Sequence, residues 1–237
     1  MQAKAYPLIG VTVELLDAPF YKGPRRFQLF HAYMPMLREA GAIPVLIPGD
    51  ATAADLAQLL PKLDGILMTG GDDVDLRSLG GPAPTPECKP TPLEQQEMNL
   101  ALVRQAIALD MPVLGICYGM QILGLAYKAP FIQHLPAADD HTKGIRHSVT
   151  AVAGSKLADL LGTAAFEVPS YHHQALASPG PQLEACGWSP DGILEAIELS
   201  SQRFTLGVQW HPEKAPESEA SKRLFSGFVA AASDYRK

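Results

Sequence analysis

The segment PVLGICYGMQIL, residues 112–123, restricts the fold more than any other stretch of the chain. Its apolar start reads as a buried strand, and the apolar pattern after Cys117 reads as a helix. Between them stands Gly115-Ile116-Cys117-Tyr118-Gly119. This is a G-x-C-x-G elbow, with sulfur where a serine oxygen would otherwise stand. Small residues on both sides let the chain turn sharply from strand to helix. The turn leaves the cysteine side chain at the carboxyl end of a sheet. There it meets a helix N-terminus, whose dipole and free N–H groups favour a thiolate. An isolated cysteine is more often a buried structural residue. The strand before it and the helix after it weigh toward a nucleophile.

The rest of the first half alternates strand and helix patterns. Strands are expected at residues 6–13, 43–47, 65–68 and 112–115. Phe27, Phe30, Met34 and Leu37 recur at helical spacing, with Pro35 marking a start or a kink. Thr52 suits the cap of a helix running to Leu60. Pro92 suits the first turn of another, with Met98, Ala101, Leu102 and Ile107 inward. Such alternation predicts an α/β fold with a parallel sheet covered on both faces. The second half reads as strands at 147–152, 165–170, 183–188, 193–199 and 205–209, then a helix at 218–232. No repeat or linker divides the chain, so one domain over 1–237 is expected.

Composition excludes several classes of function. Of 237 residues, 47% are hydrophobic, which is enough for a packed core. The net charge is −6 and no long Lys/Arg block occurs, which argues against a nucleic-acid or membrane partner. The first residues lack the apolar core of a signal peptide. Three cysteines, Cys88, Cys117 and Cys186, are an odd and widely spaced set. They point to reduced thiols and a cytoplasmic location.

Two further segments supply partners for Cys117. GVQWHPE, residues 207–213, ends an expected strand with His211-Pro212-Glu213. In extended backbone, alternate side chains share a face, so Glu213 can orient His211 as a base. The strand at 65–68 runs into Thr69-Gly70-Gly71-Asp72-Asp73-Val74-Asp75. Two glycines there allow a backbone N–H to turn toward a ligand. Beside the N–H of Tyr118, a donor from Gly71 would form an oxyanion hole. Asp72, Asp73 and Asp75 lack the remaining ligands of a calcium loop. His172 and His173 would face opposite ways in a strand, which disfavours joint chelation; a substrate-side or structural role fits them better. His31, His134, His141 and His147 show no zinc-type spacing with a cysteine pair. Cys88 and Cys186 read as structural or incidental.

TGGDDVD, PVLGICYGMQ, SYHHQ and GVQWHPE, in this order, resemble the class I glutamine amidotransferases. The chain is most similar to the cysteine-peptidase-like C26 branch, which includes γ-glutamyl-γ-aminobutyrate hydrolase. The resemblance covers nearly the whole chain. It implies a flavodoxin-like, doubly wound and mostly parallel sheet with additional strands near the active site. It also implies a triad of Cys117, His211 and Glu213. Gln121 and the Ser170–Tyr171 backbone would hold the glutamyl α-amino and α-carboxylate groups, with Gly70 and His172 at the same wall. Departures stand at Tyr118, where the branch often has Arg, and at Glu94-Gln95, where it often has Arg-Asp. Pro169 replaces a common Asn, and Tyr127-Lys128-Ala129-Pro130 replaces a Gly-Gly turn.

The expected reaction is hydrolysis of a γ-glutamyl amide through a cysteine thioester. It calls for no metal and no organic cofactor, and its partner is a small γ-glutamyl substrate. Two alternatives remain. One is a glutaminase subunit that passes ammonia to a synthase partner, and the other is a catalytically silent binding protein. A homodimer is compatible with either.

Overall fold

The computed structural model describes residues 6–162 and 164–235. Nine strands form one sheet: β1 Leu8–Thr12, β2 Ile43–Ile47, β3 Gly65–Met68, β4 Val113–Ile116, β5 Ile145–Ala151, β6 Ala165–Ser170, β7 Glu184–Trp188, β8 Leu194–Glu198 and β9 Thr205–Val208. Their order is β2-β1-β3-β4-β9-β8-β7-β5-β6. From β2 to β9 every pairing is parallel. From β9 outward through β8, β7, β5 and β6 every pairing is antiparallel. The fold is therefore flavodoxin-like at one end, with an antiparallel extension.

Among the described residues, six helices accompany the sheet: α1 Tyr33–Glu39, α2 Ala53–Leu59, α3 Leu93–Ala108, α4 Tyr118–Ala126, α5 Lys156–Leu161 and α6 Glu219–Tyr235. Strand alternation divides their packing between two faces. Ile66 and Met68 of β3 join a core with Leu56, Leu102, Val103 and Met120. Leu67, between them, joins the opposite core with Tyr33, Leu37, Phe225 and Phe228. Burial on both sides explains why β1, β3, β4 and β9 read as continuous apolar runs rather than alternating ones, while the edge strand β2 leaves Ile43 and Leu46 exposed. Among the described residues, no helix is long and apolar enough to cross a membrane.

Several boundaries differ from the sequence expectation. The helix expected to carry Phe27 and Phe30 begins only at Tyr33. Phe27 instead lies in Arg26–Gln28, which pairs antiparallel with Glu14–Leu16, and both phenylalanines are exposed. The apparent 3.6-residue period there comes from side chains that never share a helix. Pro92 stands just before α3 rather than within it, and Ala101 is only partly buried. The fourth strand is shifted by one residue and ends at Ile116, so the elbow starts at Cys117 itself. The short helix α5 was not expected, although Ser155 caps it and Gly162 ends it in left-handed conformation.

Candidate functional site

The carboxyl ends of β3, β4 and β9 converge at the middle of the parallel half, where open α/β sheets place their ligands. Cys117 follows β4 directly and holds φ 52° and ψ −106°. A non-glycine residue in such backbone costs about 1–3 kcal/mol and persists only where its surroundings fix it. Here the backbone N–H of Cys117 donates to the Val208 carbonyl at 2.8 Å. The flanking glycines are required by space. A Cβ on Gly119 would stand 2.3 Å from the Met68 carbonyl oxygen, and one on Gly115 would stand 2.7 Å from the Gly119 carbonyl oxygen. The elbow is thus wedged between two strands and its own helix.

His211 lies just past the end of β9 and is 6% exposed, as is Cys117. Its Nδ1 and the Glu213 Oε1 are 2.6 Å apart, and the carboxylate is fully enclosed. Glu213 reaches the imidazole from a 3₁₀ turn, Pro212–Lys214, and not from the extended backbone that the spacing predicts. Pro212 opens that turn and brings the two side chains together by curvature. Burial alone would lower the pKa of His211. The charges of Glu213 and Cys117, and side-chain hydrogen bonds with both, outweigh it and push the pKa up to about 10. The imidazole thus sits between the Glu213 carboxylate and the Cys117 side chain, in surroundings that favour its charged form.

Gly70 and Gly71 follow β3 and meet different neighbours. A Cβ on Gly70 would stand 2.6 Å from the His211 ring, so a larger residue would displace that ring. The Gly70 N–H donates to the Tyr33 hydroxyl at 3.0 Å. Gly71 packs beside Tyr118, whose ring would lie 3.7 Å from a Cβ there. Tyr118 is the first residue of α4, so its N–H has no acceptor within the helix. Gly71, after β3, and Tyr118, after β4, are thus neighbours.

The other expected contacts are distributed unevenly. Tyr171 is exposed and meets the His211 ring edge-on, with centroids 5.5 Å apart. The Lys214 ammonium lies 3.5 Å above the Tyr171 ring. Ser170 turns its hydroxyl away, donating to the His141 carbonyl at 2.8 Å. Gln121 is buried, and its amide donates to the Gln174 carbonyl and the Gln209 Oε1. The His172 imidazole is also buried, with Nδ1 3.0 Å from the Gln174 carbonyl and Nε2 directed at Glu195. Any substrate contact by Ser170 or His172 must therefore come from the backbone. His173 points the other way, 2.9 Å from Asp73. Asp72 accepts from the Tyr21 hydroxyl, and Asp75 caps a 3₁₀ turn at Arg77, so the three aspartates do not converge.

Three contributors were not singled out from sequence. Gln209 donates to the Cys117 sulfur at 3.5 Å. It stands two positions before His211, and strand alternation would have placed it on the same side. Tyr33 lies buried against Gly70 and Glu213. Glu14 accepts from the Asp72 N–H at 2.8 Å. Burial first, and then the charge of Asp72, raise the pKa of Glu14 to about 7. No local pattern marks Tyr33 or Glu14, because each reaches the site from a different segment.

Residues 7–213 match the family model described as Peptidase C26. A γ-glutamyl-γ-aminobutyrate hydrolase of Escherichia coli is 32% identical, over 95% of this chain and 93% of its own. A Mycobacterium tuberculosis protein with the provisional name glutamine amidotransferase is 36% identical, over 86% of this chain and 67% of its own. A solved structure from Thermoplasma acidophilum, provisionally named as part of a GMP synthase, superposes with a TM-score of 0.71. It covers 98% of this chain and 96% of its own at 18% identity, which speaks to the fold.

Proposed function

The chain belongs to the Peptidase C26 family, and from that premise we propose that it is a cysteine-nucleophile hydrolase of small γ-glutamyl amides. The observation that carries the reading is the enclosed His211–Glu213 pair at 2.6 Å, with the Cys117 thiol at the imidazole. Sulfur attacks the γ-carbonyl carbon. The tetrahedral oxyanion is met by the N–H groups of Gly71 and Tyr118. The C–N bond breaks as His211 gives its proton to the leaving amine, which departs neutral. His211 then takes a proton from water, whose oxygen attacks the glutamyl thioester. The products are glutamate and the amine, and the thiolate–imidazolium pair returns. Gln209 orients the sulfur and Glu213 holds the imidazole tautomer. Gly70 and the Tyr171 wall border the glutamyl group. The location proposed is cytoplasmic, where the three cysteines stay free thiols.

The leaving group proposed is an amine larger than ammonia, released to solvent. Support comes from the relative named as a γ-glutamyl-γ-aminobutyrate hydrolase, which matches over nearly its full length. The test compares kcat/KM for glutamine, γ-glutamyl-γ-aminobutyrate and a γ-glutamyl anilide on the isolated chain. Turnover of the larger amides without any partner is expected. Extra methylenes are discriminated by only about 1–3 kcal/mol each, so several amides should react at comparable rates. Hydrolysis of glutamine alone, and only with a synthase partner present, would establish the ammonia-donor reading instead. No turnover of any of them with a free Cys117 thiol would leave a binding protein.

A further inference from the structure

Away from Cys117, four side chains from four segments converge on one point in the antiparallel extension. They are His141, at the end of the 3₁₀ turn Ala138–His141; His147 on β5; His172, beyond β6; and Glu195 on β8. The donor atoms lie within 4.8 Å of one another. Glu195 Oε1 is 3.6 Å from His141 Nδ1, 3.6 Å from His147 Nε2 and 3.4 Å from His172 Nε2. These separations exceed an N–H···O hydrogen bond, which spans about 2.7–3.2 Å. They approach the edge of a zinc tetrahedron, roughly 3.3 Å for metal–ligand bonds of about 2.0–2.1 Å.

Three features distinguish this cluster from an ordinary polar core. First, all three inward nitrogens and both Glu195 oxygens are buried without a hydrogen-bond partner. Glu195 itself is 0% exposed. A carboxylate enclosed and unsatisfied in this way is costly, and a cation relieves the cost. Second, every outward ring nitrogen has an oxygen to bind. His141 Nε2 is 2.9 Å from Asp191, His147 Nδ1 is 3.2 Å from the Ser148 carbonyl, and His172 Nδ1 is 3.0 Å from the Gln174 carbonyl. Those partners place the protons outside and the lone pairs inside, as metal-bound histidines require. Third, the set is closed. Four protein donors of nitrogen and oxygen type fill a tetrahedron and leave no position for a reacting water.

We propose that His141, His147, His172 and Glu195 bind a structural zinc ion. Its place in the fold gives it a task. The His172 N–H and the Ser170 hydroxyl both donate to the His141 carbonyl, so the ion would pin the segment that carries Tyr171. On the other side, the Glu195 carbonyl accepts from the N–H of Gln209, whose side chain touches Cys117. The ion thus braces both walls of the site without entering the chemistry.

The test is the metal content of the full chain, purified without a histidine tag or chelator. Mass spectrometry of the desalted protein should find close to one zinc per chain. After removal by a strong chelator, cobalt should restore the site with the intense visible bands of a four-coordinate ion. Glu195→Gln and His147→Ala should each weaken zinc binding by about 10-fold or more, the scale on which such sites respond to altered shells. His134→Ala should not, although His134 and His173 form a separate surface pair with ring nitrogens 2.9 Å apart. Zinc lost in His134→Ala but kept in His147→Ala would overturn the assignment. Wild-type protein that carries no metal and shows no cobalt bands would do so too, and that result does not depend on whether a variant folds.

Discussion

Replacing Glu213 by Gln removes one charge and keeps an acceptor for the His211 Nδ1–H, so the size of the effect can be worked out. His211 rises from 6.5 to about 10 in the folded protein. At about 1.36 kcal/mol per unit, that is roughly 5 kcal/mol of preference for imidazolium. Burial opposes the rise, and Glu213 is the largest of the groups that drive it, ahead of Cys117. Assigning half to Glu213 gives about 2–3 kcal/mol. On that scale kcat/KM should fall about 30- to 150-fold in Glu213→Gln. The His211 ring, followed by nitrogen-15 NMR, should lose its proton about two pH units earlier. Stability should respond with a definite sign. A raised histidine pKa contributes stability that is fully present below 6.5 and is lost as pH rises through about 10. Wild-type Tm should therefore decline across that window more steeply than the variant's. Activity within threefold of wild type would show that Glu213 does not set the base. So would an unchanged His211 titration.

Raised pKa values give Glu14 the same pH sense as His211, but here the charged form is the penalised one, so removing it should stabilise the fold. Its folded pKa of about 7 lies above the ordinary 4.5, so the folded state carries a growing penalty as pH rises from 4.5 to 7. Glu14→Gln keeps an acceptor for the Asp72 N–H. It should raise the midpoint of thermal unfolding at pH 8, by up to about 3 kcal/mol in stability, and change little at pH 4. Equal midpoints at both pH values would refute the burial argument. Gly119→Ala should damage the elbow, because its Cβ would meet the Met68 carbonyl at 2.3 Å. A loss of about 1–3 kcal/mol is expected by denaturant titration, together with slower alkylation of Cys117. Wild-type stability and reactivity would mean that the elbow is not wedged.

The parallel half was legible because its central strands are buried on both faces and are separated by helices. The Thr52 cap appears as expected, completed into a capping box by Asp55, and Gly65–Met68 coincides with the observed strand. The elbow was legible for the same reason, since sharp turns demand small residues at fixed offsets. His211 and Glu213 were legible by their spacing, though the turn that joins them is curved rather than extended. What stayed hidden depends on tertiary contact. Phe27 and Phe30 keep a helical spacing while sitting in a hairpin and a loop. The opposed directions of His172 and His173 could be foreseen from alternation. The meeting of His172 with His141, His147 and Glu195 could not, since these residues come from four segments with no common spacing.

The central claim is that Cys117 carries the glutamyl group between the two half-reactions. The direct measurement is acid quenching of the protein during turnover of a γ-glutamyl anilide, followed by peptide mass mapping. The expected result is one glutamyl adduct on the peptide containing Cys117, discharged by hydroxylamine, and absent from Cys117→Ala along with all turnover. An adduct on Cys88 or Cys186, or continued hydrolysis by Cys117→Ala, would contradict it.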